Sequence, residues 1–262
     1  LIAMPVSNSS ARFLFDMMEL LGRTDAPMGL TDVRKALSLP VATAHRGLAT
    51  LEQAGFAERY QASTRYVLGP MAKRLRQSVI SRFAVRDRAL PYLRRLSVTT
   101  GETTSLSIRI GWFMLRLAAV PGPGDIVKRP AVGQVTRLDS ELAGRVILTL
   151  CPEQELDRFT RYCRRQGLPV AASWRVDEPA LQSVGYVMEP VAAKPGSMVA
   201  AMPLRDNERN AVAVISVEIS DAAAWQAELG TALQDVARSI GPVESHYAHL
   251  DPDTIGLSDA VT

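Results

Sequence analysis

Cysteine is nearly missing from this 262-residue chain: Cys151 and Cys163 are the only two, and they form no C-x-x-C pair. A disulfide framework is therefore excluded, and a reduced compartment is the natural expectation. A redox pair between them is a weaker reading than two incidental thiols. Histidine is as scarce, at three residues. His246 and His249 lie i, i+3 beside Glu244, a pattern that reads as a solvated helix end more readily than as a metal site. No metal and no cofactor are expected. No apolar run approaches the ~20 residues of a membrane span. The opening LIAMPVSNSS has neither a basic start nor a sustained apolar stretch, so neither membrane nor signal peptide is expected. G-x-S-x-G, a phosphate loop and a Ser-His-acid arrangement are all lacking, which argues against an enzyme.

What is present is an ordinary globular composition, 47% apolar and 22% charged, with a net charge of only +3. Its distribution is uneven. Residues 1–80 hold ten Lys and Arg against six Asp and Glu, or +4, so the remainder is slightly acidic. A basic module joined to a near-neutral one suits a phosphate-contacting head on a sensing body.

The head has a recognisable rhythm. Ser9 or Ser10 caps a helix with Phe13, Met17, Leu20 and Leu21 at helical spacing. A second helix is expected from Thr31-Asp32, then a tight turn at Ser38-Leu39-Pro40, and a third helix from about Pro40 to Ala54 that Gly55 stops. Two β-type runs, 56–60 and 65–68, flank a tip at 61–64. Helix, helix-turn-helix and hairpin in that order make a winged helix-turn-helix, mainly α with a β wing, spanning 9–69. A basic stretch at 70–84 reads as a linker helix.

From 85 to 242 the pattern predicts an α+β domain: a helix over 85–99, strands at 103–110, 112–120, 185–190, 197–204 and 211–219, and helices at 140–150, 152–166, 180–184 and 222–240. The tail, 243–262, is expected to fray.

A recognition helix must offer small polar and basic side chains to base edges. In VATAHRGLATLEQAG the candidates are Val41, Ala42, Thr43, His45, Arg46 and Thr50, with Arg46 able to grip guanine or a phosphate. Thr31 and Lys35 in the preceding helix, and Arg59 and Arg65 in the wing, complete the expected contacts to double-stranded DNA. The competing reading of any one of them is a solvated surface residue.

The run LTDVRKALSLPVATAHRGLATLEQAGF, followed by Arg65–Gly69, resembles the IclR (isocitrate lyase regulator) family. So do RALPYLRRLSVTTGETTSLSI (88–108), LDSELAGRVILTLCPEQELDRF (138–159) and GYVMEPVAAKPGSMVAAMPLRDNERNAVAVISVEIS (185–220). The resemblance implies a GAF-like effector and oligomerisation domain over 85–242. It also implies a homodimer, often a dimer of dimers, on a palindromic operator, and an organic or aromatic small-molecule effector. The chain would then be a regulator, a repressor of a catabolic operon, in the cytoplasm and at the nucleoid of a bacterium. Three departures stand out. Ser38 occupies a turn position where the family prefers Gly, Val41-Ala42 replace the usual Lys/Arg-Ser, and Gly47 replaces a common Leu, at a cost of about 1 kcal/mol in helix propensity.

By position the family's pocket maps to Leu142, Ala143 and Gly144 at a helix start, and to Glu189, Met198, Ser216 and Glu218, with Asp139 where the family often has His. Trp112 and Phe113 are further candidates to line it. Two carboxylates facing the pocket would repel a simple acid, which points to a larger, more apolar, neutral or cationic effector. For Met198 and Glu218, ordinary core filling and a solvated strand residue compete with that reading. Two rivals stay open: a GAF-type enzyme or sensor with incidental DNA binding, and an architectural DNA binder without effector.

Overall fold

The computed structural model describes residues 9–24, 26–123, 131–170, 174–191, 195–220, 226–248 and 250. Parts of the expected loop after Val120, of the 222–240 helix and of the tail, His249 included, lie outside the described residues. The chain divides into two compact units between Val79 and Ile80.

The first unit holds α1 (Ser9–Arg23), β1 (Met28–Gly29), α2 (Leu30–Ala36), α3 (Val41–Gln53), β2 (Ala57–Arg59), β3 (Arg65–Leu68) and most of α4 (Pro70–Ile80). Its core is the apolar stripe that helical spacing indicated: Met17 and Leu21 of α1, Val33 of α2, and Ala44, Leu48 and Leu51 of α3, closed by Ala57 and Tyr66. α2 begins at Leu30 rather than Thr31, because Asp32 in its first turn accepts a hydrogen bond from the Gly29 N–H at 3.0 Å and so closes that turn. Strand β1 was not anticipated. Two residues carry no alternation, and this strand exists only through antiparallel pairing with β3 (Met28 opposite Tyr66), giving the sheet order β1-β3-β2.

Two of the departures acquire physical meaning. Ser38 has φ 53°, the left-handed region where glycine is at ease, so the turn is made at the expense of about 1 kcal/mol of backbone strain. Gly47 is buried, and a Cβ there would sit 2.6 Å from Met17 Sδ and 2.9 Å from a Phe13 ring carbon. The loss of a side chain on α3 is therefore filled from α1, and Gly47 is a packing choice as well as a propensity cost.

The second unit starts with α5 (Ala84–Thr100) and builds one six-stranded antiparallel sheet from β4 (Thr103–Ile110), β5 (Phe113–Val120), β6 (Val135–Arg137), β7 (Val187–Pro190), β8 (Met198–Arg205) and β9 (Ala211–Ile219), in the order β6-β5-β4-β9-β8-β7. Short β6 was missed for the same reason as β1. Helices α6 (Leu142–Thr149), α7 (Glu153–Arg165), α8 (Glu178–Ser183) and α9 (Gln226–Ile240) complete the unit.

Strand alternation divides the sheet into two faces. Leu106, Ile108, Ala200, Met202, Ile215 and Val217 pack with Leu93 and Leu96 of α5 and Leu229 and Leu233 of α9. On the other face Ala201 and Val214 pack with Leu142, Val146 and Ile147 of α6 and Phe159 of α7. α6 also lies close to the backbone that leads out of β6, because Gly144 lacks a side chain: a Cβ would stand 2.3 Å from the Leu138 carbonyl oxygen.

The expected fraying after Gly241 does not hold for the described residues. Val243 and Ala248 are buried in the α5/α9 core, the Gly111 N–H donates to the Tyr247 carbonyl at 3.1 Å, and the rings of Phe83 and Tyr247 stand 4.6 Å apart.

Candidate nucleic-acid interface and ligand cup

Helix α3 presents two unlike faces. Ala44, Gly47, Leu48 and Leu51 are buried, while Val41, Ala42, His45, Arg46 and Thr50 are exposed and Thr43 is half-buried. The spacing of 3.6 residues per turn forces this separation once the core side is chosen. Among the described residues the His45 and Arg46 side chains have no hydrogen-bond or ion-pair partner. Val41, 57% exposed, offers an apolar surface at the first turn, where a thymine methyl could be met. The Thr50 hydroxyl donates to the Arg46 carbonyl at 2.8 Å, so its donor is used within the helix. Thr31 and Lys35 are exposed on α2.

The wing arginines are placed differently. Arg59 donates to Glu52 Oε1 at 3.0 Å and lies 5.3 Å from the centre of the Tyr66 ring. The Glu52 hydrogen bond also raises the Arg59 pKa, which keeps the guanidinium charged. Arg65 donates to the Pro27 carbonyl at 2.8 Å and stands 3.6 Å from Asp32. Exposed pairs of this kind contribute about 0–1 kcal/mol, so a phosphate could compete for either guanidinium. Between them the tip turns through Gln61 (φ 47°) and Ala62 (φ 56°), two consecutive left-handed residues where a hairpin would normally place glycine or asparagine.

On the α6 face of the sheet, register brings polar side chains into rows. Ser105 of β4 is opposite Ser216 of β9, Thr103 is opposite Glu218, and Ser107 is opposite Arg116 of β5. Glu189 of β7 is opposite Val199 of β8, which is opposite Glu218. Two ion pairs connect α6 to this face: Arg116 with Glu141 at 3.1 Å, just ahead of α6, and Arg145 with Glu189. Arg116 also donates to Gln134, and its Nε is the one buried side-chain polar atom without a partner among the described residues.

Glu189, Ser216, Glu218 and the start of α6 (Leu142, Ala143, Gly144) thus share one face, as residues of a common site must. Four other candidates do not join them. Met198 follows Ser197 into β8 with the opposite parity and packs toward α5 and α9, so Val199 and not Met198 is the β8 neighbour of Glu218. Trp112, 7% exposed, packs edge-on to Phe159 at 5.6 Å beneath Arg109, with Phe113 likewise buried against Tyr162. The Asp139 side chain is fully buried and held by Arg137, whose NH2 group also donates to the Pro169 carbonyl at 2.7 Å; that arrangement braces the chain before α6.

Sequence reading missed Ser105, Ser107, Arg116 and Arg145. The alternation in Thr103-Thr-Ser-Leu-Ser-Ile-Arg-Ile110 was a visible signal for the serines. Arg116 sits in an apolar run, and a bulge near Ser107 obscures its register.

Residues 14–60 match the family model described as the IclR helix-turn-helix domain, and residues 77–241 match that of the bacterial transcriptional regulator IclR C-terminal domain. The chain belongs to the IclR family. Among curated relatives, the glycerol operon regulatory protein of Streptomyces coelicolor is 27% identical over 234 residues, 86% of this chain and 91% of that protein. The HTH-type transcriptional regulator BhcR of Paracoccus denitrificans is 28% identical over 207 residues, 77% of this chain and 74% of its own. A solved IclR homologue from Microbacterium hydrocarbonoxydans, complexed with 4-hydroxybenzoate, shares the fold at a TM-score of 0.68 and 20% identity, over 88% of this chain and 97% of that one. An IclR-family protein is a DNA-binding transcriptional regulator with an effector-binding C-terminal domain, and this chain is accordingly not an enzyme. No helix among the described residues is long and apolar enough to cross a membrane.

Proposed function

We propose that this IclR-family regulator represses a catabolic operon and reads its operator with α3. The observation that carries the reading is the exposed edge of α3, where the Arg46 and His45 side chains have no partner among the described residues while the opposite edge is locked into the core. In this reading Val41, Ala42, Thr43, His45, Arg46 and Thr50 meet the major groove. Thr31 and Lys35 meet the adjoining backbone, and Arg59 and Arg65 of the wing exchange Glu52 and Asp32 for phosphate or minor groove.

The domain scheme that goes with it is a winged helix over 9–69, a linker helix over 70–84 and a GAF-like effector and oligomerisation domain from 85. The last of these extends past 242 through the docked segment to Ala248. The effector occupies the face bounded by Leu142, Ala143 and Gly144 and by Glu189, Ser216 and Glu218. The active form is a homodimer, or a pair of dimers, on a palindromic operator, in the bacterial cytoplasm at the nucleoid. A gel shift with the DNA upstream of the protein's own gene tests this. A discrete complex that resists competitor DNA and dissolves on addition of a metabolite extract supports the reading, and binding no tighter than to random duplex refutes it.

A further inference from the structure

We propose that the first turn of α3 reads DNA by apolar contact: Val41, flanked by Ala42, covers the 5-methyl group of a thymine in the major groove and so selects thymine over cytosine at that base pair. The proposal rests on the reading of the operator by α3 and names what its first turn selects.

Pro40, Val41 and Ala42 follow one another at the entry to α3, and all three are exposed. None of their side chains carries a donor, an acceptor or a charge. Val41 is 57% exposed and lies outside the core built from Met17, Val33, Leu48 and Leu51, so packing does not account for a valine there. Helix propensity does not account for it either. A β-branched residue is a weaker helix former than glutamate, glutamine or lysine, any of which this open position has room for.

Spacing sets the apolar turn among the polar side chains of the same edge. Val41 and His45 are four residues apart on α3, as are Ala42 and Arg46, and both pairs are exposed. A recognition helix in the major groove meets base edges with its N-terminal residues. What such a turn can tell apart follows from those edges. Guanine and adenine present acceptors, adenine and cytosine present amino donors, and thymine alone adds an apolar group, its 5-methyl. A side chain of methyl groups leaves a covered donor or acceptor without a partner, which costs free energy. Against the thymine methyl the same side chain removes apolar surface from water on both molecules. Hydrogen bonding to other base edges is left to His45 and Arg46.

5-Methylcytosine offers the same methyl group, so the test separates the two sources. It uses the full chain and the duplex upstream of the protein's own gene. That duplex is amplified with dTTP, with dUTP in its place, or with 5-methyl-dCTP in place of dCTP. Deoxyuridine removes the methyl and leaves base pairing intact. Affinity is read by fluorescence anisotropy for the parent and for Val41→Ser. The parent is expected to bind the deoxyuridine duplex about three- to tenfold more weakly than the thymine duplex, and in Val41→Ser that penalty should shrink below about twofold. Val41 is exposed at a helix end, so the variant should keep the Tm of the parent, and the parent's own comparison needs no variant. Equal affinity of the parent for thymine and deoxyuridine duplexes, both still preferred over random DNA, overturns the methyl contact and keeps α3 as the reader. Tighter binding of the 5-methyl-dC duplex in that case assigns the methyl to cytosine and overturns thymine. A deoxyuridine penalty as large in Val41→Ser as in the parent overturns the assignment to Val41. A thymine duplex bound no tighter than random DNA overturns the reading of the operator by α3 itself.

Discussion

On α3 the outward Arg46 side chain holds its charge without a partner among the described residues, whereas on the α6 face of the sheet the arginines are paired. His45 and Arg46 extend from a helix whose other edge is packed, and in the proposed reading they meet a surface that arrives with its own negative charge. The Arg116 and Arg145 side chains are mostly buried, where an unpaired guanidinium would carry a heavy desolvation cost, and Glu141 and Glu189 offset it. The difference teaches how each module treats charge: α3 leaves Arg46 open at its surface, and the second unit neutralises its mostly buried arginines from within.

The sharpest way to break this comparison is Arg46→Ala. Operator affinity should fall about 10- to 100-fold by fluorescence anisotropy, with Tm unchanged. The matching change at the already engaged Arg59 should weaken binding less than about fivefold. Equal losses at both positions would mean that prior pairing with Glu52 has no bearing on DNA contact.

Next in size is Gly47→Leu, which restores a bulky side chain where Met17 and Phe13 now stand. Overpacking should lower stability by about 1–3 kcal/mol in chemical denaturation, and Met17→Ala in the same chain should recover part of it. Operator binding measured below the unfolding transition should change little, because Gly47 is on the buried edge. Ser38→Gly should raise stability by about 0.5–1 kcal/mol by relieving the left-handed φ, with DNA affinity intact.

The smallest effect concerns the thiols of the second unit. Burial pushes both Cys151 and Cys163 up to about 11. At pH 8 only about one thiol in a thousand is then ionised, so a disulfide reagent should label the native protein slowly and the unfolded protein at once. The folded state holds these protons more tightly than the unfolded chain, so their contribution to stability is intact below pH 9 and is lost as pH rises through about 11. Rapid labelling at pH 8 would reopen a redox role.

Legibility followed the length of the local pattern. Helices α1 to α3 were readable because Phe13, Met17, Leu20 and Leu21, and then Ala44, Leu48 and Leu51, repeat over several turns. β1 and β6 were not, since two or three residues carry no period. For Met198 the sequence left pocket lining and core filling open, because a residue's side of a strand depends on register, and a shift of one position reverses it; the pairing packs it toward α5 and α9. Asp139 and Trp112 were read as site residues by position, and their burial and partners place them in the framework.

By itself the sequence determined the winged helix, the exposed edge of α3 and the family, because each is encoded in residues close together in the chain. Tertiary structure alone decided which side chains meet on the α6 face of the sheet. Ser105 and Ser216 are more than a hundred positions apart, and only the antiparallel pairing of β4 with β9 makes them neighbours. It also decided the fate of charge: the chain shows arginines and glutamates, but folding chooses which are neutralised at close range and which are left to be answered by a partner.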